Sequence, residues 1–565
     1  MKKKNYIFII LTVLLLISSI YFNINTINKA EQRIITEKEN TPITELLTKT
    51  EEQSVEEIAE EEKDTMVVKE TNSYTSSELA VVITMPLVTS LSIVLLFSTS
   101  FGKLSIKETI NNKTRLAYSI LSLIILSTAL PTTNVIISDN KILNGETTLA
   151  RNEKMIAIVE VTQDKKTDNL KEESKDNNTS VLQISNQSTY TGTNLELNKS
   201  DGLTTDKEIS EYFGLNSAVI VKDASILELT DSSIRTNADY SSAIFLSGLS
   251  SKAVLNNVTL KTLKNNSPSI SISEEAELNA SNLEISTIGN NSSAIKTLDT
   301  NSTVYVSDSM INTEGTNSPL FYSNGKIEVT KITGTSSNSP IGIINNVNSI
   351  EIKDSELTTS TSNEKDIYNA AFTIYKKATY GSSNNYNYAD LTIENTKITI
   401  DKKSSNYKTA SIFYIKNMKT KINITDTKLK YGSNTLLNVV SEDEYNISEV
   451  TMTVTDQNLK GNIVVDEYSK VRLNLNDCIY TGRINKGNVS KNVDVTFDED
   501  SRWVLTGNSY VNTLTVTKKD LNNIRKYIRS NGYNIYYNAK NNEWLNGRTI
   551  YLNGGGKLIP KYYKS

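Results

Sequence analysis

The chain has 565 residues, of which 38% are hydrophobic and 22% charged, with a formal net charge of −4. This balance excludes a collagen-like or wholly disordered chain and offers no overall basic character of the kind that binds nucleic acid. The sequence contains no His, which excludes imidazole catalysis and any His-ligated metal. A single Cys, Cys478, excludes an intrachain disulfide framework and a thiolate cage for zinc or iron.

The first 138 residues contain three uncharged apolar runs. Three Lys precede the first run, and we interpret residues 1–28 as a signal anchor or a signal peptide. The other two runs, 79–101 and 116–138, are each long enough at about 1.5 Å per residue to cross a hydrocarbon core of about 30 Å. Residues 79–138 are therefore predicted to form two transmembrane helices joined by a basic loop.

The distribution of Lys and Arg predicts the orientation of these segments, because basic segments stay in the cytoplasm. The N-terminal Lys residues and the basic loop 102–115 are predicted to be cytoplasmic. Residues 29–78, which include a run of acidic residues, would then form an extracytoplasmic tether. Everything after residue 138 would be extracellular, and the protein would belong to the cell membrane. Ser127-Thr128-Ala129 resembles a signal peptidase site, so that cleavage there remains an alternative.

The polar half of the chain is built from an internal repeat. Residues 139–180 are predicted to be a polar linker, and alternation of apolar and polar residues then predicts strands. Through residues 181–516 one pattern recurs about every 28 residues, namely apolar-x-apolar-x-(Asp or Asn)-x-x-apolar. Its copies begin at Leu227, Ala253, Ala276, Val304, Ile327, Ile350, Leu391, Ile422, Met452, Leu473 and Trp503.

A repeat of this length with two or three short strands predicts an all-β fold, a parallel β-helix of about 11 or more coils. An immunoglobulin-type sandwich would need a much longer period, and antiparallel hairpins would need Asn-Gly or Asp-Gly turns, which are rare here. Residues 517–565 are predicted to form a small C-terminal cap. The apolar positions predict one inward column that contains Leu229, Val306, Ile352, Ile424 and Leu475.

The repeat, with the closing stretch 503–516, resembles the right-handed parallel β-helix proteins of bacterial cell surfaces, the adhesin-like branch of the pectin-lyase-like superfamily. The resemblance covers roughly residues 181–565, and its motifs are specific to architecture rather than to activity. It implies a right-handed β-helix that binds glycans or a host or neighbouring cell surface without catalysis. The three-span N-terminal part is not a usual part of that family's pattern.

A polysaccharide-degrading enzyme and a purely structural surface spacer are the two alternatives. The hydrolases of the superfamily carry a Gly-His-Gly segment, which a chain without His cannot supply. The lyases need an Arg or Lys base near a calcium site. Arg472 and Arg483 lie near Asp477 in the sequence, so the lyase alternative stays open.

Asp426, Asp456 and Asp477 are the candidate ligands for calcium, the one cofactor that the sequence suggests. If the coils stack in register, these carboxylates lie about 5 Å apart and repel one another, and calcium would relieve that repulsion. The alternative is a solvated column of turn residues, each of which bonds its own backbone. Asn257 and Asn395 at equivalent positions favour this alternative.

Tyr537 and Trp544 are the candidate glycan-binding residues. Both lie in the Tyr-rich C-terminal segment, and exposed aromatic rings stack on sugar faces. The alternative is that these rings close the end of the β-helix. The basic residues of segment 518–529 would also draw this end to anionic polymers. Cys478 is interpreted as a small residue in a stack of Ser and Thr side chains.

Overall fold

The computed structural model describes residues 155–362, 365–377, 387–517 and 524–561. The predicted signal segment, tether and transmembrane pair lie outside the described residues. Within the described ranges, no helix is long and apolar enough to cross a membrane. The described chain is all-β with long parallel sheets, as the repeat predicts.

Sheet A is a parallel sheet in which each strand pairs with the strand of the next coil. Its twelve strands are β1 Ile156–Val161, β4 Thr179–Ile184, β7 Val219–Val221, β9 Ile244–Ser247, β11 Ile270–Ser273, β14 Ile295–Thr297, β16 Phe321–Ser323, β18 Gly342–Asn345, β21 Ala370–Tyr375, β24 Ser411–Lys416, β27 Thr435–Val440 and β29 Asn462–Val465.

Sheet B holds a first and a second strand segment from each coil, and the longest of its strands run through both segments. Its strands are β2 Lys165–Asp168, β3 Lys171–Ser174, β5 Thr189–Thr193, β6 Glu196–Lys199, β8 Ile226–Thr236, β10 Lys252–Thr262, β12 Glu277–Ser281, β13 Glu284–Thr287, β15 Thr303–Thr316, β17 Lys326–Asn338, β19 Ser349–Lys353, β20 Glu356–Thr359, β22 Ala389–Glu394, β23 Lys397–Ile400, β25 Lys419–Thr425, β26 Lys428–Lys430, β28 Glu449–Lys460, β30 Lys470–Gly482, β31 Asn492–Phe497, β32 Arg502–Leu505, β34 Thr513–Val516 and β35 Ile528–Arg529.

Sheet C and four short helices complete the described structure. Sheet C contains β33 Ser509–Val511, β36 Ile535–Asn538, β37 Ile550–Tyr551 and β38 Lys557–Lys561. The α-helices are α1 Lys207–Phe213 and α2 Ile524–Tyr527, and the two 3-10 helices are Asp366–Tyr368 and Glu543–Leu545.

The chain follows a repeated path from a strand of sheet A to the first and then the second segment of sheet B. All named strand pairs are parallel except β37 with β38. Ile484 bridges to Ile463 at the end of sheet A, and Tyr510 of β33 donates its N–H to the Ile484 carbonyl oxygen at 3.2 Å. Sheet C therefore continues the stack of sheet A. The predicted β-helix-like repeat fold is confirmed for the described part of the chain.

The predicted inward column is confirmed by the strand register. Val306 pairs with Val329 and then Ile352, and Ile393 leads through Ile424 to Val454. These side chains are at most 3% exposed. Because each coil sits directly on the next, the columns merge into one continuous apolar core.

Two copies of the repeat were assigned the wrong register. In the coil that begins at Ala276, Leu255 pairs with Ala280 rather than with Leu278, because a small Ala occupies the inward column there. In the last copy, Leu475 pairs with Phe497, while Trp503 stacks on Tyr480 in the second segment. An aromatic residue followed two positions later by an aliphatic residue fits the apolar pattern of both segments of sheet B. The sequence pattern alone therefore did not show which segment contains Trp503.

The predicted linker and cap also differ from the structure. Residues 155–180 are not a linker, because β1, β2 and β3 form a first coil that pairs with the second. Its outward positions carry charged side chains, which makes the segment look like a linker. Most of the predicted cap 517–565 continues the coils, since β35 pairs with β32 and β36 with β33. Only the antiparallel pair of β37 with β38 ends the repeat.

A second corner of the coil, between sheet B and sheet A, is built from an Asn-Ser pair that the repeat pattern did not include. Backbone N–H groups at this corner donate to the side-chain oxygen of a Ser on the next coil, at 2.5–3.1 Å. The ladder runs through Ser241, Ser267, Ser292, Ser318 and Ser339. These buried hydroxyl groups satisfy donors that strand pairing leaves open at the corner.

The outer side of sheet A is covered over part of its length. Helix α1 begins after Asp206, whose carboxylate accepts the N–H of Ile209 at 3.0 Å. Its Tyr212 carbonyl oxygen accepts a hydrogen bond from Ser273 of β11, and its Glu211 lies 2.8 Å from Lys296. The outward Phe245 of β9 is consequently fully buried. The open outer surface therefore belongs mainly to sheet B.

The strand register makes a stability prediction. Ile424→Asp should lower the free energy of unfolding by at least about 3 kcal/mol, because a charge replaces a fully buried side chain in a dry column. Asn423→Asp should change it little, because Asn423 points outward between Thr392 and Thr453. Chemical denaturation measures both values, and an equal loss in the two variants would contradict the register.

Candidate functional site

The Asp and Asn residues of the repeat all occupy one bend between the first and second segments of sheet B. Their φ angles lie between +40° and +56°, in the left-handed region that Asn and Asp tolerate best among non-glycine residues. From the third coil onward this bend column consists of Asp231, Asn257, Asn282, Asp308, Lys331, Asp354, Asn395, Asp426, Asp456 and Asp477. Asn169 and Asn194, with φ angles of +59° and +57°, occupy the same bend in the first two coils. The recurrence of Asp or Asn is thus explained by the backbone angle that the bend requires.

Neighbours in the bend column pair with one another where their chemistry permits. The Asn257 amide donates to an Asp231 carboxylate oxygen at 2.5 Å, and the Asn395 amide donates to Asp354 at 2.6 Å. Asp308 lies 3.6 Å from the Lys331 ammonium group. The column therefore balances part of its own negative charge with amide and ammonium groups.

The candidate calcium ligands Asp426, Asp456 and Asp477 lie on successive coils, as the register of Thr425 with Thr455 and of Thr455 with Asn476 requires. All three are exposed. In the described part of the chain, no group of three or more acidic or Cys side chains is arranged to hold a metal ion. The geometry thus assigns these residues to the bend, and calcium binding stays a prediction.

Cys478 follows the bend column on the buried side. Its thiol donates to the carbonyl oxygens of Val454 and Asn476 at 3.1 and 3.0 Å, and it is 1% exposed. Ser355 donates in the same way to Lys353, two residues earlier. Burial raises the pKa of the Cys478 thiol, which keeps it protonated. These contacts fit the interpretation of Cys478 as a small stacked residue.

The predicted role of Tyr537 as an exposed sugar-binding residue is wrong. Its side chain is fully buried, and its hydroxyl group donates to the Arg548 carbonyl oxygen at 2.9 Å. Trp544 is half-buried against the core, and its indole N–H donates to the Leu514 carbonyl oxygen at 3.1 Å. Tyr537 lies between β33 and β38 in sheet C, and both rings thus pack within the end of the described stack.

The two candidate lyase bases are not brought together. Arg472 lies near the start of β30 and is paired in register with Asp494, whereas Arg483 follows the end of the same strand. Five residues of extended strand, about 16 Å, separate Arg472 from Asp477 at the bend. The two Arg residues and the bend carboxylate thus do not form one site.

A groove on the first segments of sheet B was missed by the sequence argument. It encloses about 560 Å³ and crosses five coils. One outward row forms its centre, in the register order Val254, Asn279, Tyr305, Glu328 and Glu351. In each first segment, one outward residue lies between two inward residues. Among the first segments that the described register aligns, only Tyr305 is aromatic at this position.

Two lysines hold the carboxylates of this groove in place. The Lys353 ammonium group lies 2.6 Å from Glu351, and Lys326 pairs with Glu328 while lying 5.5 Å from the centre of the Tyr305 ring. The hydrogen bond to Glu328 raises the pKa of Lys326, and that to Glu351 raises the pKa of Lys353. The groove, which we call the Tyr305 groove, therefore presents fixed carboxylates beside an aromatic ring.

Lys199 is a buried charge that the sequence pattern did not identify. Its ammonium group donates to the carbonyl oxygens of Asp176 and Thr179, and the side chain is fully buried. Burial lowers its pKa to about 8, against the opposing effect of Asp176 and Asp201. Lys199 occupies an inward position of β6, two residues after the buried Leu197 and in register with the buried Thr236, and its ammonium group lies close to Gly202.

No protein-family model, curated protein or solved structure matches this chain.

The bend geometry predicts how substitutions of Asp456 behave. Asp456→Asn should leave the free energy of unfolding nearly unchanged, because Asn occupies the same position in other coils. Asp456→Val should lower it by about 1–2 kcal/mol, because a β-branched residue is strained at a φ of +52°. Thr453→Val, at an extended outward position, is the matched control in chemical denaturation.

Calcium titration tests whether the bend column binds a metal ion. If the bend alone explains Asp456, the melting temperature should not depend on millimolar calcium. A rise with calcium that disappears in Asp456→Asn would show a site that binds only the folded state.

Lys199 predicts a pH dependence of stability. Its pKa is about 8 in the folded protein and near the usual 10.5 when unfolded, so the unfolded chain binds more protons between these values. Stability should therefore rise with pH from about 8 towards 9.5, and the rise should be smaller in Lys199→Met. Denaturation at several pH values measures the slope, and equal slopes in the two proteins would contradict this assignment.

Proposed function

We propose that the protein is a membrane-anchored, non-catalytic cell-surface protein whose β-helix binds glycans. The observation that carries this proposal is the Tyr305 groove, in which an aromatic ring stands between fixed carboxylates and amides on a rigid parallel sheet. We also propose that the coils are right-handed and that the fold belongs with the adhesin-like branch of the pectin-lyase-like superfamily. The long parallel sheets are consistent with that assignment.

The chemistry of the groove suits a sugar chain. A Tyr ring offers an apolar face for the C–H groups of a pyranose. Carboxylates such as Glu328 and Glu351 accept hydrogen bonds from neighbouring hydroxyl groups, and the Asn279 amide can both donate and accept. Because strands on both sides fix the backbone, these groups lose little conformational entropy when a ligand binds.

The groove also has the shape that an extended chain requires. Its five coils are spaced by about 4.8 Å, so the row from Val254 to Glu351 is about 19 Å long. A linear glycan laid along the axis would meet a new side chain at each coil. Because Lys326 and Lys353 are already paired with the groove carboxylates, the groove has no unpaired cation to hold a polyuronate, and a neutral glycan is the better ligand.

The location part of the proposal is tested by protease treatment of intact cells. Residues after 138 should be digested from outside, because the basic segments flank the predicted cytoplasmic ends. Protection in intact cells, with digestion after lysis, would place this part of the chain inside.

Glycan binding is tested by removing the aromatic ring. Tyr305→Ala should weaken binding of a neutral glycan found on a glycan array by roughly tenfold, because stacking and buried area are lost together. Tyr445→Ala is the matched control, since Tyr445 is 67% exposed in a loop outside the groove. Titration calorimetry measures both affinities. Equal losses, or no binding to any glycan, would leave the spacer alternative.

A further inference from the structure

A second pocket lies between the bend column and the second segments of sheet B. It has a volume of about 480 Å³ and crosses four coils. Three ammonium groups and three carboxylates line it, so their formal charges sum to zero. The charged residues of this bend pocket are Lys331, Asp354, Glu356, Lys397, Asp426 and Lys428.

The bend pocket has two walls that run along the axis of the coils. One wall is the bend column from Asp354 to Asp426. The other wall is the first outward row of the second segments, in the register order Glu356, Lys397 and Lys428. Towards the C-terminal coils, the first wall therefore offers oxygen acceptors and the second wall offers ammonium groups.

Two contacts neutralise part of the charge inside the bend pocket. The Asn395 amide donates to Asp354 at 2.6 Å, and the Lys397 ammonium group donates to Glu356. An ionised carboxylate has about four lone-pair sites, so each of these carboxylates can accept a further hydrogen bond. The Asn395 side-chain oxygen is also an acceptor, because its contact with Asp354 uses only the amide nitrogen.

The remaining acid and base on the C-terminal side of the pocket have no partner. Asp426 and Lys428 are exposed, and neither side chain forms an ion pair or a hydrogen bond within the described part of the chain. Both belong to one coil, and the buried side chain of Thr427 lies between them. One wall thus presents an unpaired carboxylate opposite an unpaired ammonium group of the other wall.

Lys331 shows that the bend alone does not determine which residues line this pocket. In the described bend column it is the one Lys, and its φ of +54° suits Asn or Asp better. Its ammonium group lies 3.6 Å from Asp308 and places positive charge at the N-terminal end of the pocket. A cationic group of a ligand would therefore be repelled beyond the coil of Asp354 and Glu356.

We propose that the bend pocket binds a free α-amino acid with a cationic side chain, such as lysine. The α-ammonium group would donate to Asp426 and to the side-chain oxygen of Asn395, while the α-carboxylate would bind Lys428. The side-chain ammonium group would donate to Asp354 and Glu356. This site is separate from the Tyr305 groove and does not depend on glycan binding.

The spacing of the coils fits the length of lysine. Asp354 and Asp426 are two coils apart, which is about 10 Å. The two nitrogen atoms of extended lysine are about 7 Å apart. A hydrogen bond of about 2.8 Å at each end extends this reach to the two carboxylates. An anionic side chain of similar length would meet Asp354 and Glu356 and be repelled.

The first test compares lysine with three analogues that each lack one charged group. Nα-acetyllysine lacks the α-ammonium group, cadaverine lacks the carboxylate, and norleucine lacks the side-chain ammonium group. In titration calorimetry with the full chain, each analogue should bind at least about threefold more weakly than lysine, because one ion pair is lost. An analogue that binds as tightly as lysine would overturn the proposal, and so would the absence of lysine binding.

The second test assigns the binding to the bend pocket. Asp426→Asn and Lys428→Met should each weaken lysine binding at least about threefold. Asp456→Asn and Lys460→Met are the matched controls, because they remove an exposed carboxylate and an exposed ammonium group one coil further along, outside the pocket. No loss in the pocket variants, or equal losses in the controls, would contradict the assignment. Unchanged circular dichroism and melting temperature show that each variant is folded.

Discussion

The hydrogen bonds between successive coils fix every surface of this protein. A strand can pair in parallel with its neighbours only if each coil returns to the same place after each turn, and the corners between the three strand segments make that return possible. At the first corner a residue at positive φ turns the chain between the segments of sheet B. At the second, Asn at positive φ and a buried Ser do the same before sheet A. The paired backbones then align the outward side chains in rows, and this alignment does not depend on contacts between the side chains themselves.

Much of this arrangement could be predicted from the sequence because it depends on local alternation. The column through Val306, Ile352 and Ile424 follows from apolar residues two positions apart, and the strand pairing agrees with it. The bend residues were recognised as a column, but their backbone angle was not. Without that angle, the stacked carboxylates of Asp426 and Asp456 left a calcium site and a column of turn residues as alternatives.

The remainder depends on which coils meet, and a single sequence does not determine this. The Tyr305 groove brings Val254 and Glu351 into one row across coils of unequal length, so its parts could be aligned only after the register was known. Ala280 in the inward column displaced one copy of the repeat by two residues. Tyr537 was misjudged for another reason: its strand lies between β33 and β38, and its hydroxyl group bonds the Arg548 carbonyl oxygen, which the tyrosine-rich composition of the segment does not reveal.

The first and second segments of sheet B lie on opposite sides of the bend column and carry different side chains. The first segments from Val254 to Glu351 present Tyr305 with carboxylates, and the later second segments present lysines such as Lys397 and Lys428. Sheet A offers less open surface, because α1 and the segment around Asp366–Tyr368 cover outward residues such as Phe245 and Thr373. Since each coil contacts only its neighbours, outward residues of sheet B can change without disturbing the core. The corners therefore maintain the fold, while the rows between them are free to determine what the surface binds.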